Sequence, residues 1–266
     1  MLHVLLERWQ PLAAVLGFFL FWIWESRAPF FPRAGRVRHA ARNLAVAGIN
    51  AVALAVVFAG ATVAVADYSA ERGAGLLRLI RLPEALHAAA AFVLLDAWTY
   101  WWHRANHRVR FLWRFHRMHH SDPEMDVTTA TRFHLGEIAM SSLLRLGLIP
   151  IAGIPLTTLL VYDLLLLVLT QFHHANLALP PGVDQAVRWF VVSPNMHKVH
   201  HSRWQPETDS NYTSVLSVWD RIFGTYREKE DCRAIRLGLE GYDADDRQSV
   251  TGLLATPLGQ VSPQSR

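Results

Sequence analysis

Between Leu44 and Ala66 the chain carries 23 successive residues without a formal charge. As a helix this run is about 35 Å long, enough to cross a hydrocarbon layer of about 30 Å. Lipid offers no hydrogen-bond partners, so every backbone N–H and C=O in such a run must be paired within the chain. The stretch therefore predicts a membrane-embedded helix, and it ties the rest of the chain to a bilayer. Three further apolar blocks fit that frame. One runs from about Trp9 to Trp24, with tryptophans at both ends as at a membrane interface. Another runs from about Glu84 to Trp102 and contains Asp96. The last, Ile138–Phe172, is too long for one span, and Pro150, Gly153 and Pro155 interrupt it, which predicts a helical hairpin. The first block ends in Trp22-Ile23-Trp24-Glu25-Ser26-Arg27, not in the small residues of a signal cleavage site, so it reads as a retained helix.

Charge gives the expected orientation. Arg27, Arg33, Arg36, Arg38 and Arg42 lie between the first two blocks. In the next connection, Asp67 to Pro83, the basic Arg72, Arg78 and Arg81 are offset by Asp67 and Glu71. The positive-inside rule places the first loop in the cytoplasm. The third block then travels inward and delivers His103 to the cytoplasmic side, and the hairpin returns His173 and His174 to that side. From Pro180 onward the chain is more polar and reads as a cytoplasmic cap. Within it, Val187–Ser193 leads into a short helix carrying His197–His201, Trp219–Tyr226 forms a packed turn, and Thr256–Arg266 is a disordered tail. The organisation expected is residues 1–83 as membrane helices and loops, 84–228 as the catalytic region and 229–266 as a C-terminal tail. The net charge of +4 is accounted for by arginines flanking apolar blocks, where they meet lipid headgroups. No nucleic-acid-binding motif is present.

The second constraint is histidine. Ten of the 14 histidines fall in two windows, 103–120 and 173–201. They form HxxxH at His103 and His107, HxxHH at His116, His119 and His120, and HxxHH again at His197, His200 and His201. Residues three and four apart share a helix face, so each motif presents imidazoles side by side. Isolated His3, His39 and His87 are expected to be hydrogen-bonded packing residues. The single cysteine, Cys232, excludes an internal disulfide and a thiolate-rich site, so a metal here takes nitrogen and oxygen ligands. Eight or nine histidines are too many for one ion and enough for two. Haem takes at most two protein ligands, and these histidines lie past the helix ends. Iron is favoured over zinc because the site faces a reducing compartment. A zinc-dependent lipid hydrolase and a haem- or metal-binding electron carrier are the alternatives. The fold expected is all-α: an integral membrane bundle of about four embedded helices with a helical cap carrying a dimetal site.

The motifs HRANH, HRMHHS and SPNMHKVHHS, the one-sided apolar hairpin and the following NYTSVLSVWDRIFGTY together resemble the fatty acid hydroxylase / sterol desaturase superfamily of membrane di-iron oxygenases. The resemblance covers roughly residues 90 to 228, including Thr129–Glu137 and His173–Asn176. It implies O2-dependent hydroxylation or desaturation of a lipid: a sterol, hopanoid, carotenoid, fatty acyl chain or alkylglycerol ether. It implies two iron ions, O2 as co-substrate, no haem, and electrons from a separate ferredoxin, cytochrome b5 or reductase. The ligand set it implies is His103, His107, His116, His119, His120, His174, His197, His200 and His201, with His134 and His173 as further ligands or supports. Ligating histidines need a partner on the second ring nitrogen. Asp96, Asp122, Glu137, Asn176, Asn195 and Asp220 are the residues proposed for that duty.

Overall fold

The computed structural model describes residues 2–32 and 35–259. Arg33 of the basic loop and residues 260–266 of the expected tail lie outside the described residues. Among those described there are helices, turns and three isolated β-bridges, and no strand. Helix α1 spans Leu2–Arg27. Helix α2 (Arg36–Ala53) passes through a π-helical turn, Leu54–Ala59, into α3 (Gly60–Glu71). A short α4 (Leu76–Leu79) leads to α5 (Glu84–Arg108) and α6 (Arg110–His120). The hairpin is α7 (Leu135–Ala152) and α8 (Leu156–His174). The polar end carries α9 (Pro181–Val187), α10 (Pro194–His200), α11 (Gln205–Thr208), α12 (Val218–Ile222) and α13 (Val250–Leu254).

Among the described residues three helical stretches are long and apolar enough to cross a membrane: Arg36–Leu79, Leu135–Ala152 and Leu156–His174. In the first, only 11% of the most apolar window is buried inside the protein. Val52, Val56 and Val57 stand on its open surface. A helix so apolar and so bare of protein contacts is stable where lipid covers it.

The hairpin turns at Gly153, with φ of 78°, and α8 starts after Pro155. Pro150, expected to be part of the break, stays inside α7. Two glycines make the crossing beside this turn. A Cβ on Gly75 (φ 120°) would lie 2.2 Å from both the Cα and the N of Gly153. His87 donates through Nε2 to the Gly153 carbonyl (2.9 Å) at this corner, and so is a packing residue as expected. The membrane-side core brings together Ala66 of α3, Ala91 and Leu95 of α5, Ile149 and Ala152 of α7, and Leu159 and Tyr162 of α8. Asp96 sits among them and accepts hydrogen bonds from Trp219 Nε1 (2.8 Å), the Leu216 N–H (3.2 Å) and the Tyr162 hydroxyl (3.2 Å). It ties α5 to α8 and to the segment before α12, and its partners do not include His103.

The C-terminal end departs from expectation. Thr256 and Pro257 are buried, and Leu253 of α13 packs with Val46 and Met118. Arg117 is buried and donates to the Gly259 carbonyl (2.7 Å). A guanidinium stays charged and has donors in every direction, so burying it requires acceptors that the last turns supply. Residues 256–259 are therefore ordered against α6 and are not part of a disordered tail.

The Gly75–Gly153 crossing leads to a stability prediction. Gly75→Ala should destabilise the protein by about 1–3 kcal/mol through steric overlap at a positive φ. Gly147→Ala, where nothing lies within 4 Å of the added Cβ, should be near neutral. Thermal unfolding in detergent compares the two.

Candidate metal centre

Four elements supply the clustered histidines. Helix α5 brings His103 and His107, one turn apart, to its last turns. Helix α6 carries His116, His119 and His120, and α8 ends on His174. Helix α10 starts where Ser193 Oγ accepts the Met196 N–H (3.2 Å) and Pro194 occupies the first turn. This start places His197, His200 and the capping residue His201 together.

The structure sorts nine of these histidines into two buried groups. One contains His103, His107, His116, His120 and His200; the other contains His119, His174, His197 and His201. Within each group, one ring nitrogen per residue lies within 4.8 Å of all the others. Both HxxHH boxes divide between the groups. His116 and His120 go to the first group and His119 to the second, whereas His197 and His201 go to the second and His200 to the first. Adjacent helical residues point about 100° apart, so each doublet faces two centres at once. The groups adjoin: the His120 and His201 rings stack at 4.5 Å between centroids.

Hydrogen bonds fix the protons. His103 Nδ1 lies 2.6 Å from the Tyr212 carbonyl, His200 Nδ1 2.6 Å from the Ser210 carbonyl, and His174 Nδ1 2.8 Å from the Thr170 carbonyl. A carbonyl only accepts, so each Nδ1 carries the hydrogen. In a neutral ring Nε2 is then a bare lone pair. Yet His103 Nε2 and His200 Nε2 are 3.0 Å apart. In the second group His174 Nε2 lies 2.9 Å from His197 Nε2 and 3.1 Å from His119 Nε2, and His201 Nε2 lies 3.1 Å from His197 Nε2. Between His103 and His200 two lone pairs therefore face each other, and these repel unless a cation lies between them. His107, His116 and His120 also hold buried ring nitrogens with no hydrogen-bond partner. Burial first, then the like charge of neighbouring rings, holds His103, His107, His119, His120, His197 and His201 well below the ordinary imidazole range. Burial pushes His200 down to about 3. These rings are neutral at pH 7, as metal binding demands. The donor set therefore fits two ions bound through nitrogen.

Of the six acids and amides proposed as partners, Glu137 alone meets one of these rings directly: its Oε1 lies 2.8 Å from His116 Nδ1. Asp220 acts one step away. It accepts from the Tyr212 N–H (2.8 Å), the Thr213 N–H (3.1 Å) and the Thr225 hydroxyl (2.7 Å), building the turn whose Tyr212 carbonyl receives His103. Asp122 instead binds His39 Nε2 (2.8 Å) and the Thr129 hydroxyl (2.7 Å). Asn176 holds the Phe31 N–H and carbonyl, both at 2.9 Å. Asn195 lies near Lys198 Nζ, at 3.5 Å. His134 stands outside both groups. Its Nδ1 accepts the Gly136 N–H (2.9 Å) to cap α7, and its Nε2 lies 3.1 Å from the Leu254 carbonyl, so both ring nitrogens are engaged. His173 is also outside the groups, though its ring is 4.1 Å from that of His197. Asp209, 3.6 Å from His107 Nδ1, and the carbonyls of Thr170, Ser210 and Tyr212 escape a reading of the sequence. No spacing marks that acid, and a main-chain acceptor has no residue type.

Comparison with known proteins agrees with this geometry. The family model for fatty acid hydroxylase matches residues 88–225, a little over half of the chain. The chain belongs to the fatty acid hydroxylase family. This family region runs from the first turns of α5 past α12 and so takes in all nine grouped histidines. Similar proteins include alkylglycerol monooxygenase of Xenopus tropicalis, 34% identical over 52% of this chain and 30% of that protein. Ornithine lipid hydroxylase OlsE of Rhizobium tropici is 28% identical over 60% of this chain and 47% of its own length. Human alkylglycerol monooxygenase is 31% identical over 53% and 31%. The match thus spans half or less of each relative. No solved structure matches the chain.

Two outcomes follow for metal binding. His107→Ala and His197→Ala should each lower metal content by about one ion per chain, measured by elemental analysis. Metal retention should also fall as pH drops. His103, His107, His119, His120, His197, His200 and His201 are depressed in the folded chain, so lowering pH through the ordinary value of about 6.5 adds protons to the unfolded chain first. The fold and its metals should therefore be fully kept above that pH and progressively lost below it. Dialysis at pH 7.5, 6.5 and 5.5 followed by metal analysis reads this directly.

Proposed function

We propose that this protein is a membrane-bound, O2-dependent lipid oxygenase that holds two iron ions, one in each histidine group. The observation that carries the reading is the pair of adjoining, buried, all-nitrogen groups, five and four imidazoles, in a chain of this family. Catalytic zinc sites usually keep three protein ligands and an open water position, and these groups are richer in nitrogen than that. Bound there, iron supplies the activation of O2 that attack on an unactivated C–H bond requires.

The remaining work belongs to the chain. The Tyr212 and Ser210 carbonyls hold the Nδ1 protons of His103 and His200, which aims both Nε2 lone pairs inward. Glu137 fixes the His116 ring and adds negative charge beside the first group. Phe133 stacks on His119 at 4.3 Å, and Trp113 packs 5.1 Å from His107. These apolar rings exclude water and so protect the reaction from side products. The substrate class is a bilayer lipid. It reaches the site along the hairpin, whose Leu143, Leu144, Val161 and Leu165 are exposed and whose second helix ends on His174. The names of the relatives, which act on alkylglycerols and ornithine lipids, support that class.

Electrons come from a separate donor such as a ferredoxin, cytochrome b5 or reductase. Residues 84–228 form the catalytic unit. In this reading the site faces the cytoplasm; the bridge between Pro29 and Leu177, which joins the end of α1 to the segment after α8, supports it.

Lipid profiling of the host with and without the gene tests the reading. The expected change is a lipid that gains one oxygen, or loses two hydrogens, only when O2 is present. Purified protein should hold about two irons per chain and show no Soret band. Zinc as the resident metal, with lipid conversion that persists without O2, would sink the proposal.

A further inference from the structure

We infer that Glu25, in the last turns of α1 and outside the family region, is a positioning residue for the second histidine group. The inference rests on the two-ion reading above. Glu25 is 3% exposed. It is surrounded by the apolar cluster of Phe21, Val127, Ala175 and Leu177. One carboxylate oxygen, Oε2, accepts two main-chain N–H groups, from Val127 (3.1 Å) and Asn176 (2.8 Å). The other, Oε1, pairs with Arg36, whose guanidinium lies 3.4 Å from the centroid of the Trp22 ring. Burial, then the nearby Asp126, raises the Glu25 carboxyl, and the Asn176 N–H, Arg36 and the Val127 N–H oppose that shift by favouring its charged form.

The two N–H groups belong to different arms of the site. Val127 opens the 3-10 turn Val127–Thr131, in the loop that leaves His119 and His120. Asn176 follows His174 by two residues, where α8 has just ended. One side chain thus joins the exit of the second box to the exit of α8, and His119 and His174 meet between them at 3.1 Å. The same corner is laced by backbone bonds from Phe30 to the Asn176 carbonyl (2.8 Å) and from Ala178 to the Ala28 carbonyl (3.2 Å). Among the described residues the first group shares only the α6 end of this tie, through His120. Its bonds to Glu137, Ser210 and Tyr212 all lie inside the family region. Local bonding of His174 to Thr170 sets the angle of its ring, while Glu25 sets where the end of α8 stands relative to α6.

The test uses the full chain in detergent and Fe2+ titrated under anaerobic conditions. His107→Ala leaves the second group to be measured alone, and His197→Ala leaves the first. Glu25→Gln keeps the shape of the side chain but replaces one oxygen with an amide and removes the charge. Added to His107→Ala, Glu25→Gln should weaken the remaining ion by about 10–100-fold, the range for losing a group that orients ligands. Added to His197→Ala, it should leave the affinity unchanged. Equal weakening in both backgrounds, or none in either, overturns the assignment to the second group. A wild-type chain that takes up fewer than two ions overturns the two-ion reading itself, and the assignment with it. Glu25→Asp, which keeps the charge on a shorter stem, should recover part of the loss in the His107→Ala background. A role limited to fold stability would move both backgrounds together.

Discussion

Unpaired nitrogen lone pairs, buried and aimed at one another, are the constraint on which this structure turns. His103 and His200 face each other through Nε2 at 3.0 Å, with their other nitrogens committed to carbonyls. Nothing in an apolar interior makes that arrangement favourable by itself. Bonds made elsewhere hold the four helices: Asp96 of α5 to Trp219 and to Tyr162 of α8, Arg117 of α6 to the Gly259 carbonyl, and Ser193 at the start of α10. A cation shared between these nitrogens would make the arrangement favourable.

The membrane half of the fold was legible because lipid leaves few choices. An uncharged run such as Leu44–Ala66 has only the helix open to it, and a broken run such as Ile138–Phe172 has only the hairpin. The histidine groups were legible because helical spacing maps directly onto a face. Their division into five and four was not. It depends on the angle at which α6 and α10 cross, and that angle is set by packing between segments distant in sequence.

Where the sequence misled, a polar side chain had more than one place to go. Asp96 lies seven residues before His103 on the same helix, which suggested a histidine partner, but Trp219 and Tyr162 were close enough to claim it. His134 stands beside box-like residues, yet the free N–H groups at the start of α7 took its Nδ1. The segment from Thr256 reads as polar and irregular, and it is held because Arg117 needed carbonyl acceptors. Each case is a competition among donors and acceptors that only the folded arrangement decides.

The division of the HxxHH boxes has a consequence for how such a site can vary. His119 and His120 are covalent neighbours that serve different groups, and so are His200 and His201. The distance between the two centres is therefore written into the peptide backbone twice, once in α6 and once at the end of α10. Residues around the histidines can change in size and polarity without stretching that distance. A chain built this way keeps the interval between its two histidine groups constant while their surroundings vary.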